Sequence, residues 1–200
     1  TFAPKIRIAP EPGEVRLDKG PLLAQIRLTP EITDRLLKYG APILAQTAKI
    51  DGQFSIDLDG GRLPLDNLTS GDIGGRLTVH NVDVLPGPLA QQILGLGKQV
   101  EDLLNGRVPQ LGQSIDTEQS LLTVKDQTID VRMVNRRVYH RGMSFLAGKL
   151  PVRTTGSVGL DETLEILAEV DIPQEGVGKG PLVNALKGKT LKIPISGTLG

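Results

Sequence analysis

Apolar and polar residues alternate with a period of two along several stretches of the chain, which is the pattern of a β-strand with one buried face. In residues 49–58 the aliphatic and aromatic side chains fall on one side, and the charged and amide side chains fall on the other. The same alternation recurs, with turn residues between the stretches, at 77–84, 129–133, 152–160, 164–172 and 191–195. The pattern predicts an antiparallel meander that has one apolar face and one polar face.

Two local features refine the first part of this meander. The glycines at 60–61 are expected to turn the chain after its first long strand. Between residues 77–79 and 82–84 the alternation changes phase, so an extra residue near His80 and Asn81 is expected to form a β-bulge.

The first helix signal lies between the N-terminal region and the first long strand. Thr29 is a good N-cap, Pro30 suits the first helical position, and Glu31 suits the positive end of the helix dipole. Gly40 is a suitable stop. We therefore expect residues 30–39 to be helical.

The second helix signal is longer and begins at Pro88, with Gly106 as its stop. Its apolar residues follow helical spacing and consist of Leu89, Ile93, Leu96, Val100 and Leu103. Gly95 and Gly97 interrupt this stripe, and each costs about 1 kcal/mol relative to alanine in a helix. Their presence indicates that the helix packs closely on the sheet.

These patterns predict the α+β fold class, with a curved, mainly antiparallel β-sheet and two or three helices packed on its concave face. The chain opens at Thr1 and is rich in proline near that end, so we expect a piece of a longer protein. The tripeptide Gly-Pro-Leu recurs after strand-like stretches at 20–22, 87–89 and 180–182. We expect one domain over residues 1–200, with 1–106 and 107–200 as candidate internal halves.

Composition removes several classes of function. Lys+Arg and Asp+Glu number 23 each, so the formal net charge is +0, and the basic surface of a non-specific nucleic-acid binder is not expected. Cysteine is absent, which excludes disulfides, a thiolate nucleophile and zinc–thiolate sites. With Tyr 2, Phe 3 and no Trp, the chain has little material for stacking bases or flat cofactors.

Short motifs do not add a catalytic or metal site. The glycines at 176–180 and the Gly-Lys-Thr at 188–190 look like parts of a phosphate loop, but Val183 stands where that motif needs its first glycine. His80 and His140 lie far apart in the chain and have no partner at metal-ligand spacing. We therefore expect no catalytic residue, no metal and no cofactor, and an enzyme ranks third among the candidate functions.

Charge is zero in sum but segregated along the C-terminal half. A basic stretch at 132–153 precedes an acidic stretch at 161–175 and a second basic stretch at 179–192. Adjacent antiparallel strands bring opposite charges together, so ion pairs across the polar face are expected. The alternative is that the arginines near one hairpin meet anionic head groups or an acidic partner, and these are Arg136, Arg137 and Arg141.

The C-terminal stretch repeats a rhythm of strand, Leu-Asp turn, alternating strand and closing strand, in residues 156–161, 164–170 and 193–199. This rhythm resembles the C-terminal region of AsmA-like and TamB-like bacterial envelope proteins, over residues 121–200. The resemblance implies curved antiparallel sheet of a tubular, lipid-binding type, with an apolar groove that carries lipids between membranes. It also implies a place in the periplasm or cell envelope of a Gram-negative-type bacterium.

Independently of this resemblance, the extent to which the helices cover the apolar face of the sheet decides whether a groove exists. Helices of modest length that do not cover the whole apolar face leave a groove lined by aliphatic side chains, which suits acyl chains better than rings or sugars. Helices that do cover the face leave a closed α+β domain without a groove. The candidate groove residues are Ile50, Phe54, Ile56, Leu77, Val79, Leu89, Ile93, Leu96, Val100, Ile129, Val131, Met133 and Phe145.

The leading prediction is therefore a non-enzymatic module of an envelope protein that binds or conducts lipid, with a lipid or membrane surface as its partner. The alternative is a structural domain that docks another envelope protein through a sheet edge or through the basic hairpin at 136–141. The sequence leaves the oligomeric state open.

Overall fold

The computed structural model describes residues 5–11, 13–47, 49–107, 122–147, 149–175 and 181–199. The strands of this part form an eleven-stranded antiparallel sheet. They are β1 (Ile6–Ala9), β2 (Glu14–Leu17), β3 (Gly20–Arg27), β4 (Ile50–Pro64), β5 (Asp72–Val84), β6 (Leu122–Val124), β7 (Gln127–Val134), β8 (Arg137–Ala147), β9 (Leu150–Gly159), β10 (Thr163–Asp171) and β11 (Thr190–Thr198). The helices are α1 (30–40), α2 (Pro88–Leu104) and α3 (Pro181–Leu186), with 3₁₀ turns at Pro42–Leu44 and Leu68–Ser70.

The spatial order of the strands follows the chain almost throughout. The strands are ordered β1-β2-β4-β5-β7-β8-β9-β10-β11 across the sheet. Strand β3 pairs with the N-terminal half of β4, and β6 pairs with the C-terminal end of β5. From β8 to β11 each strand lies beside the strand that precedes it in the chain. The prediction of an α+β protein built on a mainly antiparallel sheet is confirmed.

The glycines at 60–61 do not turn the chain, contrary to the prediction. Strand β4 continues through them to Pro64, and its pairing with β5 shifts by one residue between Leu58 and Gly60. Gly60 has a φ of 126°, and a Cβ on Gly61 would lie 2.9 Å from the carbonyl oxygen of Asp72. The glycines therefore form a bulge and a close strand contact rather than a turn.

The predicted bulge near His80 and Asn81 is confirmed. Asn81 has a φ of 38°, and the pairing of β4 with β5 shifts between Asp51 and Gln53, directly opposite. The backbone N–H of Asn81 donates to the Asp126 carboxylate at 2.7 Å, which stabilises the irregular strand.

Helix α1 begins as the sequence predicts and contains a feature that the sequence did not reveal. The Thr29 hydroxyl accepts a hydrogen bond from the backbone N–H of Ile32, and the helix ends at Gly40. Its middle turn, Thr33–Leu37, is a π-helix. A Cβ on Gly40 would lie 3.2 Å from Cγ1 of Val131, so the helix end packs tightly on β7.

Helix α2 has the predicted bounds, but it is turned relative to the predicted apolar stripe. Its buried residues are Ala90, Ile93, Gly97 and Leu104, whereas Leu103 is 39% exposed and Leu96 is half-buried. A Cβ on Gly97 would lie 2.5 Å from Cβ of Ala147. The close packing predicted from the glycines is therefore confirmed at Gly97, and it rotates the helix so that a glycine, not a leucine, faces β8.

The core lies between one face of the sheet and the helices. Gly40 meets Val131, and Gly97 meets Ala147, whose side chains project from the same face of the sheet as those of Leu77 and Phe145. The opposite face carries mostly polar and charged residues. No helix in the described ranges is both long enough and apolar enough to cross a membrane.

Candidate functional site

The helix-bearing face of the sheet continues past the helices at the end formed by β1 and β2. Pairing carries one row of residues across the strands, from Ile6 to Leu17, Gly61, Ile73 and Met133. Directly paired residues share a face. We call the apolar side chains at this end the open apolar face; they are Ile6, Ile8, Val15, Leu17, Leu63, Ile73, Met133 and Val138.

The open apolar face is exposed and separate from the core. Ile6 is 64% exposed and Ile8 is 71% exposed, and the other members are half-buried. None of its members belongs to the buried cluster or packs against it. A continuous exposed patch of this kind on a sheet is a feature of binding surfaces rather than of ordinary soluble surface.

Most of the groove residues predicted from the sequence belong to the core or pack against it instead. Those fully buried in the core are Phe54, Leu77, Val79, Ile93, Ile129 and Phe145. Those half-buried and packed against the core are Ile50, Ile56, Leu89, Val100 and Val131, and Leu96 is half-buried on α2. Of the predicted set, the structure places only Met133 on the open apolar face.

Sequence reasoning missed the strands that supply the most exposed part of this face. Ile6-Arg7-Ile8 and Val15-Arg16-Leu17 are short alternations of aliphatic and basic residues, and each pairs with the other as the β1–β2 hairpin. The signal was present in the sequence. Each strand has four residues, which is at the lower limit for a pattern of period two.

A cavity of about 140 Å³ lies on the helix-bearing face at the opposite end of the sheet, between the start of α2 and the strands β10 and β11. No charged side chain lines it. Its walls are formed by Ala45, Gln46, Pro88, Leu89, Gln92, Leu164, Ile195, Ser196, Gly197, Thr198 and Leu199. The Gln46 side-chain amide donates to the Leu199 carbonyl and ties the cavity wall to the end of β11.

The three arginines predicted to meet head groups or a partner differ in exposure and in hydrogen bonding. Arg137 is half-buried, and its guanidinium donates to the Ser157 hydroxyl at 3.0 Å and to the Thr163 hydroxyl at 3.0 Å. Arg136 and Arg141 are exposed. Arg137 therefore holds the ends of β9 and β10 together, and only Arg136 and Arg141 present their charge to solvent.

Ion pairs cross the polar face of the sheet, as the segregated charges predict. Arg153 and Lys192 lie 3.2 Å and 3.4 Å from carboxylates on the intervening strand β10, those of Asp171 and Glu169 respectively. These pairs join the basic and acidic stretches across neighbouring strands. They are exposed, so each contributes at most about 1 kcal/mol.

A further ion pair lies on the same face between β5 and β7. Arg132 makes two hydrogen bonds to the Asp72 carboxylate, at 2.8 Å and 2.7 Å. Hydrogen bonds from Arg132 favour the ionised carboxylate, so they lower the pKa of Asp72 below its ordinary value. This bidentate pair fixes the register of the two strands where they leave the helix-covered region.

The two histidines lie on opposite faces of the sheet. His80 Nε2 lies 3.0 Å from the Ser55 hydroxyl oxygen on the polar face. His140 is 2% exposed beneath α1, and burial lowers its pKa to about 4. Its Nε2 lies 3.3 Å from the Thr154 hydroxyl oxygen, while its Nδ1 has no hydrogen-bond partner. Among the described residues, no group of three or more His, Asp or Glu side chains is placed to hold a metal ion.

Comparisons of this chain with protein-family models, with curated proteins and with solved structures found no match.

Proposed function

We propose that this chain is a non-enzymatic lipid-binding module, and that acyl chains lie on the open apolar face. The observation that carries the proposal is the exposure of Ile6 and Ile8 on a face that continues, strand by strand, from the core of the sheet. The binding surface is then the end of the sheet that the helices leave uncovered, rather than the part beneath α1 and α2.

The chemistry of the open apolar face favours lipid over protein. Its side chains are aliphatic, with one methionine and no aromatic residue. The centres of protein–protein interfaces are enriched in Tyr, Trp and Phe, whose rings carry most of the binding energy. Flexible aliphatic side chains on a pleated sheet instead match the shape and apolar character of acyl chains, and burial is worth about 25 cal/mol per Å².

The resemblance to AsmA-like and TamB-like proteins supports the same proposal. It implies an apolar groove on a curved antiparallel sheet and a location in the periplasm or cell envelope. The exposed Arg136, in the turn between β7 and β8, lies close in the chain to Met133 and Val138 of the open apolar face. A phospholipid head group is the anion that such an arginine would contact.

The first experiment is native mass spectrometry of the purified chain, combined with solvent extraction and identification of the extracted lipid. We expect a bound phospholipid near one equivalent. We also expect a fluorescent fatty acid to bind the delipidated chain and to be displaced by phospholipid. An unliganded mass together with no binding of the fluorescent fatty acid would refute the proposal.

Matched variants on one strand locate the lipid. Met133→Asp places a charge on the open apolar face, and Thr128→Asp places the same charge on the polar face of β7, where Thr128 is exposed. We expect Met133→Asp to fold and to lose binding of the fluorescent fatty acid at least about tenfold, equal to 1.4 kcal/mol. Thr128→Asp should bind as the unmodified chain does. Equal binding by both variants would show that the lipid does not bind on this face.

A protein partner is the competing outcome. Size-exclusion chromatography with light scattering, run on the unmodified chain and on Ile8→Ser, tests whether the face joins two copies. A concentration-dependent dimer that Ile8→Ser abolishes, with no lipid bound, would support the scaffolding alternative instead.

A further inference from the structure

We infer that the cavity between α2 and β11 binds the terminal segment of an acyl chain whose other end lies on the open apolar face. This inference rests on the proposed function and adds a second subsite to it. The cavity and the open apolar face then form the two ends of one elongated binding site.

The size of the cavity and the aliphatic part of its wall fit the end of an acyl chain, although Gln46, Gln92, Ser196 and Thr198 also line it. Its volume is about 140 Å³, and Leu89, Leu164 and Ile195 are among the residues that line it. A cavity of about 150 Å³ with aliphatic and aromatic walls binds benzene or xenon in another protein. The amide of Gln46 is already bonded to the Leu199 carbonyl, so one of the polar groups in the wall is satisfied within the protein.

One row of paired residues connects the two subsites along the helix-bearing face. The row runs from Met133 to Val138, Val158, Leu164 and Gly197. From Met133 to Leu164 it crosses three strand spacings, which amount to about 14 Å. An acyl chain spans about 15 Å in a bilayer, half of the hydrocarbon thickness. One chain is therefore long enough to reach from the open apolar face to the cavity.

Gly197 accounts for the space at the end of this row. It pairs with Leu164, so a side chain at this position would project from the helix-bearing face. A Cβ built on Gly197 has no heavy atom within 4 Å. The missing side chain thus leaves room beside Leu164 that neighbouring groups do not fill.

The end of α1 covers the row between the two subsites. The segment Lys38–Gly40 lies against β8 and β9, and Val158 beneath this region is fully buried. Lys38 Nζ lies 2.6 Å from Glu162 Oε1 in the turn between β9 and β10. An acyl chain that enters the cavity from the open apolar face must therefore displace the end of α1 and separate this ion pair.

The test uses stearic acid that carries a nitroxide either near its carboxyl group or near its terminal methyl group, with the protein labelled at its Leu and Ile methyl groups for NMR. We expect the terminal nitroxide to broaden the methyl signals of Leu164 and Ile195. The nitroxide near the carboxyl group should instead broaden the methyl signals of Ile73, which lies on β5 next to Met133. Benzene alone should shift the Leu164 and Ile195 signals of the unmodified chain.

Two tryptophan variants on α2 give a matched control. Leu89→Trp fills the cavity, whereas Leu103→Trp adds the same ring at an exposed position that does not line it. We expect Leu89→Trp to weaken benzene binding at least about tenfold and Leu103→Trp to leave it unchanged. Should Leu89→Trp fail to fold, the benzene titration and the two spin labels on the unmodified chain still decide the question.

The outcomes separate the two proposals. Broadening of Ile73, without any effect of benzene or the terminal nitroxide on Leu164 and Ile195, would overturn the cavity subsite and leave the lipid-binding face intact. No broadening at any of these positions would overturn both. Benzene shifts without any fatty-acid effect would show a cavity that does not serve lipid binding, and would also overturn the inference.

Discussion

The two ends of strand β7 show how one pattern of residues produces two kinds of surface. Ile129 and Met133 occupy the same face of the same strand, but Ile129 is fully buried and Met133 is half-buried outside the core. The difference lies in what packs above them, because α1 reaches Val131 through Gly40 and does not extend over Met133. The alternation of apolar and polar residues therefore decides which face of a strand is apolar. Helices from other parts of the chain decide, by packing on that face, whether it becomes part of the core.

The largest difference is expected when the same charge is placed at both ends of β7. Ile129→Asp buries an unpaired carboxylate and should cost more than about 5 kcal/mol, which prevents cooperative folding. Met133→Asp leaves the carboxylate accessible to water and should cost less than about 1 kcal/mol. Thermal unfolding followed by circular dichroism measures both. Equal destabilisation by the two variants would mean that the open apolar face is part of the core.

His140 provides a test of where the covered region ends, because it pairs with Val131 in the row next to Met133. It is neutral in both the folded and unfolded chain above its ordinary pKa of 6.5, and its folded-state pKa is about 4. As pH falls from about 6.5 to 4, the unfolded chain binds a proton that the folded chain does not, so folding loses about 3 kcal/mol.

Urea unfolding of the unmodified chain and of His140→Leu, from pH 7 to pH 4, isolates this contribution. The unfolding free energy of the unmodified chain should fall by about 3 kcal/mol relative to that of His140→Leu between pH 6.5 and pH 4, because the variant lacks the group whose folded-state pKa is lowered. Parallel pH profiles would place His140 in contact with solvent.

Tight packing distinguishes the covered region from the open apolar face. Gly97→Ala should gain up to about 1 kcal/mol of helix propensity but lose about 1–3 kcal/mol, because its Cβ would meet Ala147 at 2.5 Å. Gly95→Ala, at a half-buried position of the same helix, isolates the propensity gain. Val15→Ile adds a methylene to the open apolar face and should change the unfolding free energy by less than about 0.5 kcal/mol. Chemical denaturation measures all three, and a stabilised Gly97→Ala would contradict the close contact.

A small, salt-dependent effect is expected where the two regions meet, at the Lys38–Glu162 ion pair. The hydrogen bond to Glu162 raises the pKa of Lys38, and the Lys38 side chain is 18% exposed. Glu162→Gln should lower the unfolding free energy by at most about 1 kcal/mol, and the loss should shrink as salt is added. Denaturation at low and high ionic strength measures it. A loss that does not depend on salt would show that packing of α1, and not charge, holds this junction.

The sequence predicted those parts of the fold that are encoded locally. The alternation of residues predicted long strands such as β4 and β10, and the capping hydroxyl of Thr29 and the proline at Pro88 predicted where α1 and α2 begin. The glycines at 60–61 misled the prediction, because glycine serves a bulge as readily as a turn and only the pairing with β5 distinguishes the two.

The candidate site was harder to predict because it depends on what lies above the sheet. Phe54 and Met133 are both apolar residues on the helix-bearing face, and no local signal says that α1 and α2 cover one and leave the other open. The hairpin residues Ile6 and Ile8 were not predicted because four-residue strands give too few alternations to recognise. Site prediction from this sequence therefore fails where packing between distant segments decides exposure.

The order of elements along the chain also has a consequence for folding. Helices α1 and α2 precede strands β8 and β9, against which both pack. A chain synthesised from its N-terminus has therefore produced these helices before the strands they cover. From β8 onward each new strand pairs with its predecessor, so its partner strand has already been synthesised when it emerges. The interval in which an unpaired apolar strand is available for aggregation is thereby short.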